Sequence, residues 1–466
     1  MAMFMAEIFE KLATRGPVAL MARALMERAL EPEGIDQLFA DNAERQYLKE
    51  LTFSSMVDLM AAVVCGKHPS VRSAHLNMRA QLPVSLTALY DKLNGLEVTT
   101  IEALVRYSAD RLEPIVTQLN EKAERWLPGY RVKVLDGNHI AATDRRLGVL
   151  RGCAAGPLPG QALVVFQPET GLSTQMVACE DGHAQERSLL APVLAAVAPG
   201  DLYITDRNFC TLGFLLGVAD RGGCFVVRQH ANLPVESAGT LRQVGQTETG
   251  TVFEQRITLR QEDRLLSARR IVIRLEKATR DGDAELAIIT NLPETDASAV
   301  IVANLYRRRW TIESMFARIE RNLKSELPSL GYPGAALFAF AVALVANNIF
   351  AVVEAAMNAA KAAHPDPKVA KMQLSHFALV EAIRSVHGGI ALFVEDSAWR
   401  PFQTLAHGEM ARLLIEWATN SDWRCYEKAV VRPRKPSSKR TGFTDTPHVS
   451  TARLLGRVES RDRLIK

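Results

Sequence analysis

The chain has few cysteines and no pattern among them. Its 466 residues contain six, Cys65, Cys153, Cys179, Cys210, Cys224 and Cys425, with no C-x-x-C pair and no ladder of short spacings. That argues against a zinc ribbon and a disulfide framework, and fits a reducing cytosol. A basic, apolar leader is also missing. The opening MAMFMAEIFEKLA carries Glu7 and Glu10 within its apolar stretch, so no secretory signal is expected. The most apolar run, Ala335 to Val353, is broken by Asn347 and Asn348. A membrane span needs about 20 apolar residues without such breaks, so the run reads as a buried helix. Internal repeats are absent, and charge is not one-sided: the net value is +4, which suggests a polyanionic partner without establishing one.

What is present is ordinary for a soluble globular protein, with 48% apolar and 23% charged residues. The length suggests several domains and a core that folds without staples. Basic charge gathers at the end. From Val431 onward stand Arg432, Arg434, Lys435, Lys439, Arg440, Arg453, Arg457, Arg461, Arg463 and Lys466 against only Asp445, Glu459 and Asp462. Such a tail is expected to be a solvated, disordered extension, with nucleic-acid contact the second reading.

Apolar spacing divides the rest. Residues 1–125 space their apolar positions at three and four, as one helix face requires. PSVRSAHLNMRAQLPVSLTALYDKLN reads as two helices around a proline-marked turn, with Ser85 an N-cap for the second. A helix-turn-helix that binds DNA and a plain helical packing unit are both open. From Tyr130 the texture becomes that of strands. YRVKVLDGNHIAA alternates, and QALVVFQPETGLSTQMVAC predicts a hairpin turning at Pro168-Glu169-Thr170-Gly171. Helix, strand, helix and strand follow, which is the layout of an RNase H-like core. Residues 231–297 alternate again with charged turns and read as a β-rich insertion. The core resumes as helix over 298–363, further helices fill 364–430, and 431–466 is the basic tail. The expected fold is therefore α/β: an RNase H-like core, first part 126–230, with a β-rich insertion, flanked by helical N- and C-terminal domains.

Three acids stand out within this layout. Asp136 follows the apolar strand VKVL, Asp206 follows LYIT, and Glu313 lies in the helical stretch YRRRWTIESMFARIERNLK. Strand ends in such a sheet lie side by side, so both aspartates can reach the same ions. Hard cations such as Mg²⁺ prefer carboxylate oxygens, and two of them about 4 Å apart stabilise both the attacking and the leaving oxygen of a phosphoryl displacement. Carboxylates gathered without a cation would repel, so a metal is the simplest reason to gather them.

On these residues the chain resembles a DDE transposase of the insertion-sequence-four family. The third signature of that family is Tyr-x2-Arg-x3-Glu-x6-Lys, matched here by Tyr306, Arg309 and Glu313. Asp206-Arg207 in TDRNFC matches the second signature and VLDG at Asp136-Gly137 the first. The resemblance covers about residues 75–350, and the insertion between the second and third acids is a family trait. One position departs: Glu320 stands where the family has lysine. At 100° per residue, Tyr306, Arg309, Glu313, Glu320 and Lys324 would share one helix face, which leaves two readings open: Lys324, or Arg318 or Arg321 from the side, supplies the charge, or the phosphate contact is lost and activity is weakened.

The resemblance implies Asp136, Asp206 and Glu313 as catalytic residues and metal ligands, for two Mg²⁺ ions with Mn²⁺ as substitute. It implies Tyr306, Arg309 and Arg207, with Arg318 and Lys324, as DNA contacts. Partners would be double-stranded DNA, as transposon ends and target, and a second copy in the DNA complex; no membrane partner is expected, and the setting would be the bacterial cytosol. The reaction would be strand cleavage and strand transfer by a cut-and-paste route. Two rivals stand beside it: a catalytically impaired, sequence-specific DNA-binding protein of the same fold, and another RNase H-like nuclease such as a junction resolvase.

Other polar residues receive plainer readings. Asp144, Glu180, Asp181 and Asp201 are taken as turn or surface acids, and His183-x-x-Glu186 as capping or surface residues too sparse for a metal. Trp310 could stack on a base, but an aromatic on an amphipathic helix more often joins the core. His139 either lines the site or is structural.

Overall fold

The computed structural model describes residues 7–46, 50–141, 147–152, 157–279, 282–393, 396–429 and 449–456. Among the described residues, seven helices come first: α1 (Glu7–Arg15), α2 (Pro17–Ala29), α3 (Pro32–Asn42), α4 (Phe53–Val64), α5 (Val71–Asn77), α6 (Leu86–Asn94) and α7 (Val98–Leu119). Local chemistry sets several of their starts. Thr52, Ser70 and Ser85 each accept a hydrogen bond from the backbone N–H three residues on, which satisfies a donor the first turn leaves open. The pair α5 and α6 is the two-helix unit expected around the proline-marked turn, and Ser85 is its cap.

The strands follow: β1 (Arg131–His139), β2 (Pro157–Leu158), β3 (Gln161–Gln167) and β4 (Leu172–Cys179). Then come α8 (Leu190–Ala195), β5 (Asp201–Thr205), α9 (Leu212–Asp220) and β6 (Cys224–Arg228). The hairpin between β3 and β4 turns where predicted, with Gly171 at a φ of +73°, a left-handed conformation that only glycine adopts cheaply. The β-rich stretch holds β7 (Glu236–Ser237), β8 (Arg242–Thr247), β9 (Gly250–Gln261), β10 (Arg264–Leu275) and β11 (Glu285–Thr290). It does not stand apart from the core. β11 pairs with β6, so one mixed sheet runs β4-β3-β1-β5-β6-β11-β10-β9-β7, with β8 also on β9. β3 is antiparallel to β1 and β4, whereas β1, β5 and β6 are mutually parallel.

The remaining elements are α10 (Ala299–Arg307), a 3₁₀ turn at Arg308–Trp310, α11 (Thr311–Asn322), α12 (Pro333–Ala362), α13 (Pro367–Lys371), α14 (His376–Phe393), α15 (Pro401–Thr404), α16 (His407–Thr419), β12 (Val449–Ser450) and α17 (Thr451–Leu454). The continuous helix expected from Tyr306 to Lys324 is thus two helices with a tighter turn between them. Part of the tail is also packed rather than loose: β12 pairs with β2, and Arg453 bridges to Asp181 at 2.7 Å. Residues 430–448 and 457–466, which hold the tail's other basic residues, lie outside the described residues.

Two apolar cores flank the sheet. Val132, Val134, Val164, Leu202 and Ile204 face a large helical layer of α2, α4, α7, α12 and α16. Leu135, Leu163, Tyr203 and Phe225 face α8 and α9 on the opposite side. The first core draws on both ends of the chain, so the N-terminal and C-terminal helices are one packed layer around α12 rather than separate bodies. α12 is long and apolar enough to cross a membrane, yet nearly all of it is buried inside protein.

The more deeply buried of its two adjacent asparagines, Asn348, has a structural role. The register of β3 on β4 shifts between Val165 and Phe166, leaving Thr174 as an extra residue, and such a bulge interrupts the ladder nearby. Asn348, fully buried on α12, accepts from the Ser173 N–H at 2.7 Å and donates to the Ser173 carbonyl at 3.0 Å. Its amide also reaches Ser108 on α7 at 3.4 Å. Asn348→Leu strands those peptide groups in a dry interior; at roughly 1–3 kcal/mol per unsatisfied group, urea unfolding should show a loss of about 2–4 kcal/mol. An unchanged midpoint would mean that Ser173 finds other partners.

Candidate active site

The parallel pairing of β1 and β5 brings the first two acids together. The ladder ends with Leu135 beside Thr205, so Asp136 and Asp206 are the next residue on each strand. Asp136 is not at the end of β1, which continues to His139 along β3; it is the first residue beyond the reach of β5. Side chains alternate along a strand, so Asp136 continues the row of Val132 and Val134 towards the helical layer. Asp206 caps the 3₁₀ turn at Arg207–Phe209, its Oδ1 accepting from the Asn208 N–H at 2.8 Å. Asp136 Oδ1 accepts from the Gly137 N–H at 3.0 Å.

The third acid arrives with an arginine. Glu313 lies in the first turn of α11, and Arg309 lies in the 3₁₀ turn just before it. Arg309 Nη1 donates to Asp136 Oδ2 at 3.0 Å and Nη2 to Glu313 Oε1 at 2.7 Å. Arg309 is only 8% exposed, and Tyr306 beside it is equally buried. Burial works against the Arg309 charge, but Tyr306, Asp136 and Glu313 outweigh it and hold the guanidinium protonated more firmly than usual. For Tyr306, burial dominates and pushes the phenol up.

Asp136 is the strained member electrostatically. Burial above all, then the negative charges of Asp206 and Glu186, push its carboxyl up to about 7; Arg309 and the Gly137 N–H oppose this. A cleft of about 410 Å³ opens beside it, lined by Asp136, Asn138, Glu313, Glu320 and Glu326, with Phe316 and Phe340 behind. Polar oxygens dominate its chemistry.

The sequence-predicted residues do not all converge here. Asp136, Asp206, Glu313, Arg309 and Tyr306 do, and Arg207 is exposed at the end of β5. Arg318 instead points to Glu354 of α12 at 3.7 Å, which His376 also contacts. Lys324 lies beyond α11, its backbone N–H on the Val64 carbonyl and its Nζ 3.5 Å from the His68 carbonyl. The shared helix face fails because the 3₁₀ turn breaks the 100° repeat and α11 stops at Asn322. Neither cation replaces the expected lysine in the cleft, and Glu320 itself lines it.

Several plain readings also change. Asp201 and Asp181 are buried, not surface acids: Asp201 is fully enclosed and held by Arg131 and Lys133, each at 2.9 Å. Asp144 lies outside the described residues. Trp310 is 61% exposed rather than core, with the Arg309 guanidinium 5.5 Å from its ring centroid. Glu186, read as a surface or capping residue, sits against Gly137, with Asn208 Nδ2 donating to its Oε2. Burial is the main force raising its carboxyl, with Asp206 adding to it. The signal for Glu186 in the sequence was indirect: a glycine directly after Asp136 and an amide two residues after Asp206.

In kind, the donors suit a hard divalent cation, and Asp136 carries negative charge that one arginine does not fully offset. In arrangement, Arg309 stands between Asp136 and Glu313. Among the described residues, no three ligand side chains are grouped to hold a metal ion.

Residues 130–348 match the family described as the transposase DDE domain. The match spans a little under half of the chain and contains all three acids. Over 193 residues, 40% of this chain, the sequence is 26% identical to y4zB of Sinorhizobium fredii, a protein designated a transposase by name. That stretch is 51% of the relative's own length. Among solved structures, a cryo-EM structure of the piggyBac transposase synaptic complex with hairpin DNA aligns over 92% of this chain and 91% of that one, at 10% identity and a TM-score of 0.39. So low a score carries no weight for the fold. The family match and the relative support a DDE transposase.

The raised carboxyl of Asp136 has a measurable consequence. The folded state binds this proton more tightly than the unfolded chain, whose carboxyl titrates near its ordinary 3.8. Stability from this group is therefore lost as pH rises between those values, and the cost is complete above about pH 7. Asp136→Asn keeps an acceptor for Arg309 and cannot ionise. In EDTA, the variant should melt a few degrees above wild type at pH 8, the gap narrowing at pH 5. A wild type that melts higher at pH 8 would contradict this electrostatic account.

Proposed function

We propose that the protein is a metal-dependent transposase that cuts and joins DNA at the ends of its own mobile element. The observation that carries this reading is the meeting of Asp136 and Asp206 at neighbouring positions of β1 and β5, with Glu313 brought to them by α11. The strand order β4-β3-β1-β5-β6, antiparallel on one side of β1 and parallel on the other, supports an RNase H-like core. Tyr306, Arg309 and Glu313 at family spacing, with a β-rich stretch between the second and third acids, support the insertion-sequence-four family within DDE transposases.

Asp136, Asp206 and Glu313 would hold two divalent cations, Mg²⁺ with Mn²⁺ as substitute, and these would supply charge neutralisation and water activation at the scissile phosphate. The chain's own groups account for binding and orientation. Arg309 commits both Nη groups to carboxylates in this structure; turned towards DNA, the same planar fork matches two phosphate oxygens. Arg207, exposed beside Asp206, is positioned to meet the DNA backbone. Tyr306 backs Arg309 from within and limits where the guanidinium swings. Transposition acts on both ends of the element, so the working form would be at least a dimer on DNA, in the bacterial cytosol.

A second reading has its own observation. Glu320 and Glu326 line the cleft, and their charge opposes an approaching phosphate, which favours a DNA-binding protein with impaired catalysis. Incubating the protein with Mg²⁺ and DNA bearing the element's terminal repeats separates the two. Wild type should nick at the element's end and leave a 3′-OH, while Asp136→Asn, Asp206→Asn and Glu313→Gln bind the ends but leave no product. Equal inertness of wild type and Asp136→Asn, with binding retained, would sink the enzyme reading. Cutting of four-way junctions without regard to end sequence would mark a resolvase.

A further inference from the structure

A fourth acid beside the catalytic trio has no role in the reading above. Glu186 lies in the segment ahead of α8, far in sequence from both Asp136 and Asp206, yet its carboxylate is half-buried between them. Two independent contacts define its place. On one side it rests on the β1 backbone at Gly137, where a Cβ would overlap Glu186 Oε1 and press on its Cδ. A side chain at position 137 would displace the carboxylate from this seat, which the glycine after Asp136 leaves open.

On the other side, Asn208 joins Glu186 to Asp206. The Asn208 side-chain amide donates to Glu186 Oε2, while its backbone N–H donates to Asp206 Oδ1 at 2.8 Å. The turn that carries Asp206 is one short 3₁₀ helix, Arg207–Phe209. A cap on so short an element orients the aspartate only as well as the turn itself is held. Glu186 holds it from outside, through a residue whose own backbone is the cap.

Resting on the transposase reading, we propose that Glu186 is a positioning residue that fixes Asp206 through Asn208, and that the divalent-cation affinity of the site depends on this hydrogen bond. Residues that orient metal ligands typically change affinity about 10–100-fold when removed. The mechanism is positional, so a neutral side chain that keeps the acceptor oxygen should serve nearly as well.

Mn²⁺ binding to the full-length, DNA-free protein, followed by the electron paramagnetic resonance of free Mn²⁺, tests this without reference to activity. Glu186→Ala and Asn208→Ala should each weaken binding by about tenfold or more, and the double variant should be no weaker than either single, because both break one bond. Glu186→Gln, which retains an acceptor for Asn208, should bind like wild type; it also serves if Glu186→Ala folds poorly. Asp136→Asn is the reference for loss of a ligand. If Asp136→Asn loses Mn²⁺ while Glu186→Ala does not, the inference fails and the metal site stands. The positional account is also overturned if Glu186→Gln loses as much as Glu186→Ala, or if the two alanine effects add. If wild type binds no Mn²⁺, or Asp136→Asn binds as well as wild type, the metal reading falls and takes this inference with it.

Discussion

Arg309 is a buried cation placed between two acids, and the geometry of the site turns on it. Taking Asp136 and a guanidinium largely out of water is costly, and such an arrangement persists only where partners and geometry offset the desolvation. Arg309 meets that demand by using both Nη groups, one per carboxylate. The bridge ties a strand of the sheet to the first turn of α11, so the third acid is held at the sheet by charge as well as by packing. Asp206 is left with no direct share of that cation. It is coupled to Asp136 only through space, which is one reason the Asp136 carboxyl titrates so high.

The helix breaks where this arrangement forms. An unbroken helix from Tyr306 onward would carry Arg309 and Glu313 on one face, as their i,i+4 spacing suggests. The 3₁₀ turn at Arg308–Trp310 tightens the path, leaving Arg309 turned to β1 while Trp310 projects into solvent. The break also ends the usefulness of counting along the helix. Glu320 remains with Glu313 on α11 and lines the cleft, but Lys324 falls past the helix end and binds near α4. A tightened turn leaves little trace in residue spacing, since the same residues are compatible with either winding.

What the sequence made legible was local. Strand alternation in β1, β3 and β4, the turn at Gly171 and the cap at Ser85 follow from contacts within a few residues, and each was readable from type and spacing. Asp136 and Asp206 were findable because an acid directly after an apolar strand-like run is itself a local signal, even though β1 continues past Asp136 to His139. Glu186 was not, because its importance rests on Gly137 and Asn208, residues 49 and 22 positions away that meet it only in the fold. The single helical layer around α12 was hidden for the same reason: which helices share a core depends on long-range packing, whereas periodicity reports only that each has an apolar face. Asn348 shows both sides. Its polarity in an apolar run was plain, but its partner, Ser173 beside the bulge of β4, was not.

The two ends of the β1–β5 pair show how differently two buried acids can be compensated. At one end Asp201 is fully buried, yet Arg131, Lys133 and the Ala198 N–H all meet it. At the other, Asp136 is less buried but faces Asp206 and Glu186 with one guanidinium to offset them. By burial alone Asp201 is the more demanding residue. By charge balance it is satisfied, and Asp136 is not. A fold driven only towards stability would spread these acids or add cations beside them, as it does around Asp201. The uncompensated end is where the chain accepts a local cost, and perturbed, unbalanced charge of this kind gathers at functional sites more than at structural ones.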